Sequence, residues 1–102
     1  MNRILYLHGF NSSPESHKAR VLQRYMEQSG LDDYIEIPEI PPQPAHAIAL
    51  LKQRTEALGQ LGGVSFVGSS LGGFYATWLA EQYNGAAVLI NPAVKPHQLL
   101  RQ

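Results

Sequence analysis

Four short apolar runs alternate along the chain with longer stretches in which apolar residues recur every three or four positions. The runs cover residues 4–7, 34–37, 64–67 and 86–90, and each ends at a glycine, proline, histidine or asparagine. Ile4, Leu5, Tyr6 and Leu7 have no polar alternation, which predicts a strand covered on both faces, as in a parallel sheet. Between the first two runs, Val21, Leu22, Tyr25 and Met26 form the apolar stripe of a helix. Ser13 is placed as its N-cap, Pro14 as its first residue and Gly30 as its stop. A second helix is expected from about Ala45, with Ile48, Leu51, Thr55 and Leu58 on one face and Gly62 and Gly63 ending it. A third opens from the glycine-rich turn at residues 68–73 and runs to about Tyr83. It has no clean polar face before Glu81, so it is expected to be largely buried. Residues 38–44 hold four prolines in seven positions and read as a rigid extended connector.

The order strand, helix, strand, helix, strand, helix, strand predicts an α/β fold with a parallel sheet between helical layers, a three-layer αβα arrangement. For these four strands the expected sheet order is 2-1-3-4. The 102 residues are one domain's worth of chain. Eight basic and eight acidic residues balance, which gives no electrostatic reason to expect nucleic acid or an anionic membrane as partner. Charged residues make up 16%, below the roughly 25% of an average soluble domain, and suggest that more surface is covered than in an independent small domain. Without cysteine there is no disulfide, thiolate metal site or cysteine nucleophile. The four histidines are scattered without acidic residues at ligand spacing, so neither a metal nor another cofactor is expected. No signal-peptide core or membrane-length apolar run is visible, and a cytoplasmic location is the default expectation.

The chemistry is concentrated at Gly68-Ser69-Ser70-Leu71-Gly72, which fits the G-x-S-x-G nucleophile elbow between a buried strand and a helix. A sharp turn there lifts the Ser70 hydroxyl off the sheet, and side chains two residues to either side would collide with backbone, so Gly68 and Gly72 suit the turn. The helix after Ser70 aims free N–H groups and the positive end of its dipole at the site, where an oxyanion would form. A plain phosphate-binding or packing turn is the competing reading, but no lysine follows to make a P-loop. Leu7-His8-Gly9-Phe10, at the end of the first strand, is the second piece. The backbone N–H groups of Leu71 and Phe10 are the candidate oxyanion donors, with His8 and Gly9 shaping the loop. His8 precedes the nucleophile, whereas the triad order in this fold is Ser, acid, His; it therefore reads as a structural residue bonded to nearby backbone.

Residues 6–14, 67–79 and 91–94, together with the proline-rich segment, resemble the YqiA-type bacterial esterases of the α/β-hydrolase superfamily. The resemblance runs from about Ile4 to the end of the chain. It implies a hydrolase of short-chain carboxylic esters with Ser70 as nucleophile and Phe10 and Leu71 as oxyanion donors. It also implies that this chain corresponds to the N-terminal half, since the family's members are longer and carry their acid and histidine in the remainder. After Ser70 the sequence offers only Glu81 and His97, and a Ser70–Glu81–His97 triad is disfavoured. Glu81 would lie about 16 Å along the helix from the elbow. His17 and His46 read as helix-surface residues.

Two functional classes follow. One is a serine esterase, impaired in this chain without its acid and base; the other is a non-catalytic hydrolase-like binding or assembly module. A nucleotide or phosphate binder using residues 68–73 is a weaker third. The fourth strand, with Val88 and Ile90, is expected to be an open edge and to pair with a second copy of the chain. Residues 38–44 are a candidate lining for an acyl pocket.

Overall fold

The computed structural model describes residues 2–8, 17–70 and 72–92, and for Ser70, Asn91 and Pro92 the backbone alone. Four strands, β1 (Arg3–Leu7), β2 (Ile35–Glu36), β3 (Val64–Ser70) and β4 (Ala86–Pro92), form one parallel sheet in the order β2-β1-β3-β4. Three α-helices connect them: α1 (His17–Gln28), α2 (Pro44–Gly59) and α3 (Gly72–Tyr83). The expected α/β class and strand order are both present.

Side-chain alternation along β1 sorts the layers. Leu5 and Leu7 point to one side, where they pack with Phe66, with Leu51 and Leu58 of α2, and with Ala76 and Leu79 of α3. Tyr6 points to the other, with Val67 and with Ala19 of α1. Both faces of β1 are thus covered, which is why its sequence shows no polar alternation. Tyr6, Leu5, Leu7 and Phe66 are all fully buried.

Several local expectations change. The α1 stripe is rotated: Ala19, Leu22 and Met26 face inward, while Val21 and Tyr25 are exposed. Spacings of three and four fit both stripes, and the small Ala19 at the seam lets the helix approach Tyr6 closely. Tyr34 belongs to a short 3₁₀ turn (Asp32–Tyr34), leaving β2 two residues long. Its ring lies under the Arg3 guanidinium, 4.7 Å from centroid to carbon. Pro44 is not connector but the first residue of α2, a position where its missing N–H is harmless. The third strand extends beyond Val67 to Ser70, and the fourth beyond Ile90 to Pro92. Helix α3 is only half covered: Gly72, Gly73, Ala76 and Leu79 are buried, but Phe74 is 67% exposed. The proposed N-cap Ser13, with Pro14, and any helix after Ala93 lie outside the described residues.

Arg54 of α2 forms a bidentate pair with Glu36 of β2, Nε to Oε2 at 2.5 Å and Nη2 to Oε1 at 2.7 Å, fastening α2 to the short edge strand. Glu36, chiefly through these hydrogen bonds and then through its charge, raises the Arg54 pKa above its ordinary value. At the opposite edge β4 has no outer neighbour among the described residues, and Val88 and Leu89 are exposed.

Candidate active site

The site lies at the carboxyl ends of β1 and β3, the end of an open parallel sheet where ligands bind. Leu7 pairs with Gly68, so the loop that begins at His8 starts beside the strand that ends at Ser70. Strand β3 runs to Ser70 and α3 starts at Gly72. The first residues of α3 press against both strands.

Glycine contacts show how close that approach is. A Cβ on Gly68 would lie 2.6 Å from the Gly73 Cα and 2.7 Å from the Gly72 carbonyl oxygen. A Cβ on Gly72 would be driven into the Leu7 carbonyl oxygen and would lie 2.7 Å from that of His8. Neither obstacle is a movable side-chain end, so both positions exclude every other residue type. The sequence pattern identified these two glycines; it missed Gly73, whose Cα forms the surface Gly68 meets. Its signal was present in the Gly72-Gly73 doublet.

His8 is 5% exposed, and its Nε2 accepts the backbone N–H of Ile40 at 3.0 Å. An accepting Nε2 carries no proton, so His8 is spoken for as a structural acceptor. The bond draws the proline-rich segment onto the end of β1, and Ile40 packs against the same core as Leu7. Ile40 had no recognisable signal in the sequence, because an apolar residue between prolines says nothing about where its N–H is directed.

The other residues weighed for the site, including those the sequence set aside, divide plainly. Ser69 is 9% exposed, on the α1 side of the sheet, where its β4 partner Ile90 packs. Glu81 is exposed on α3, and His17 and His46 are exposed on α1 and α2. Gly9, Phe10, Leu71 and His97 lie outside the described residues. Among the described residues no group of three or more His, Cys, Asp or Glu side chains is arranged to hold a metal ion. Also among them, no helix is long and apolar enough to cross a membrane.

A family model described as Uncharacterised protein family (UPF0227) matches residues 3–102. The chain belongs to this family, the YqiA-type family. The match takes in β1 with its His8 loop, the proline-rich segment tied to it, and the whole strand-turn-helix around Ser70.

Proposed function

We propose that this chain carries the nucleophile half of a serine esterase site, with Ser70 attacking short-chain carboxylic esters to form an acyl-enzyme. The observation that carries the reading is the seam between α3 and the ends of β1 and β3, in which Gly68 and Gly72 admit no side chain. Such packing makes room for a serine at the apex of a strand-to-helix turn and turns the start of α3 toward it. Ser70 Oγ bonds to the ester carbonyl carbon, and the carbonyl π electrons move onto oxygen. The backbone N–H groups of Leu71 and Phe10 receive that oxyanion, the alcohol leaves with a proton, and water releases the acid.

Activating Ser70 requires a base, and none of the described histidines is placed for the role: His8 accepts from Ile40, and His17 and His46 sit on helix surfaces. The resemblance to longer esterases assigns acid and base to sequence beyond this chain. The ester class rests on that resemblance as well.

The test is labelling with a fluorophosphonate probe, read by intact mass, beside Ser70→Ala, with and without the C-terminal segment of a longer family member. Labelling that depends on Ser70 and rises when the segment is added is expected. Equal labelling of Ser70→Ala would remove Ser70 as nucleophile. No labelling under either condition would favour the non-catalytic assembly module, a reading that the exposed Phe74, Val88 and Leu89 also suit.

A further inference from the structure

At the other end of β3 from Ser70, the amino ends of β3 and β4 and the carboxyl ends of α2 and α3 surround an open cavity of about 600 Å³. That is the size of a small-molecule site. Six residue steps of strand separate Val64 from Ser70, about 20 Å at the usual rise, so the cavity is distinct from the elbow.

Acidic and basic groups are segregated around it, with a carboxylate on the wall and a guanidinium at the rim. Glu56 is the single formally charged residue among the described residues of the lining. Neither α2 nor α3 has a basic residue in its last turn, so the negative ends of two helix dipoles face the cavity without a countercharge of their own. Arg3 keeps its charge at the rim, where its Nη1 donates to the Leu61 carbonyl at 3.0 Å and its guanidinium lies over Tyr34, so the carboxylate of Glu56 is the group left to meet a cation. The Tyr83 hydroxyl donates to Glu56 Oε2 at 2.8 Å, which holds the carboxylate against the wall and leaves Oε1 for a ligand. Gln60 and Asn84 add neutral polar groups, and Val64 and Ala86 an apolar floor over Phe66.

We propose that this cavity binds a small organic cation: an ammonium group that meets Glu56 and the carbonyl ends of α2 and α3, on a hydrocarbon body that lies against Val64 and Ala86. Opposite charge at the converging helix ends supplies the orientation, and the apolar floor selects against simple inorganic cations.

The test is an amide-shift NMR titration of the full chain with benzylamine, benzyl alcohol and benzoate, three probes of similar shape and different charge. Benzylamine is expected to give saturable shifts at Gly62, Gly63, Asn84 and Gly85, with benzyl alcohol at least tenfold weaker and benzoate without effect. Glu56→Gln should weaken benzylamine at least tenfold. Gln60→Lys, at an exposed position, should also abolish it by placing the chain's own ammonium in the cavity, which keeps the test open if Glu56→Gln fails to fold. Equal binding of benzylamine and benzyl alcohol, shifts centred elsewhere, or unchanged affinity in either folded variant would overturn the proposal. No readout depends on hydrolysis, so the outcome is independent of the role of Ser70.

Discussion

His8 and Ile40, 32 positions apart, are joined by a hydrogen bond from the Ile40 N–H to the His8 imidazole at 3.0 Å. The bond links the end of β1 to the proline-rich segment, where few backbone N–H groups exist to be satisfied at all. Proline removes donors from residues 38, 41, 42 and 44, so Ile40 is one of the few points at which this stretch can be fastened.

Replacing His8 with Phe keeps the bulk and removes the acceptor. The part-buried Ile40 N–H is then left without it, and a loss of about 1–3 kcal/mol in urea unfolding is expected. Hydrogen exchange at the Ile40 amide should accelerate relative to wild type by a larger factor than global stability accounts for. Unchanged exchange at Ile40 would show that the bond does not hold the segment.

Gly72→Ala should disrupt the seam between α3 and β1. The new Cβ meets backbone oxygens of Leu7 and His8, so relief requires the helix to move, at roughly 1–3 kcal/mol, with loss of whatever probe labelling Ser70 shows. Gly59→Ala is the control: nothing lies within 4 Å of its added Cβ, and as the last residue of α2 it should be neutral or stabilising by up to about 1 kcal/mol.

The Tyr6 hydroxyl is buried and has no hydrogen-bond partner among the described residues. Tyr6→Phe removes a polar group that lost its water on folding and gained no partner among the described residues. Stability should therefore stay level or rise by about 1 kcal/mol, the reverse of the usual outcome for a core substitution, as measured by the denaturation midpoint.

Burial, then the hydrogen bond to Glu56 and its negative charge, raise the Tyr83 phenol above its ordinary value of 10.0. The folded chain thus holds this proton more tightly than the unfolded one. The resulting stability is complete below about pH 10 and vanishes as pH climbs through the higher folded value. Unfolding midpoints measured from pH 8 to 11.5 should fall at the alkaline end, and less steeply in Tyr83→Phe.

Strand β4 exposes Val88 by 55% and Leu89 by 45%, and its outer edge has no neighbour among the described residues. The self-association expected of such an edge should appear as a mass that increases with concentration in sedimentation, and Val88→Lys should suppress it. A wild-type chain that stays monomeric at the highest attainable concentration would remove this expectation.

The alternation of elements was enough to read the α/β class; the strand order followed from the fold that class leads one to expect, and Gly68 and Gly72 from the G-x-S-x-G pattern. The rotated face of α1 could not be read that way. Val21 and Tyr25 fit an apolar stripe as well as Ala19 and Leu22 do, and only contact with Tyr6 and Val67 decides between them. The exposure of Phe74 was hidden for a related reason, since an apolar helix face looks the same in sequence whether or not anything covers it.

The sequence by itself determined the alternation of strands and helices and the glycines at the junction of β3 and α3, since those depend on residues a few positions apart. The tertiary structure decided what those pieces touch: Ile40 on His8, Gly72 on Leu7, Arg54 on Glu36, and the carboxyl ends of α2 and α3 around one cavity. Each of these joins residues far apart in the chain through backbone groups or flexible side chains, whose direction is set only once the helices have packed on the sheet.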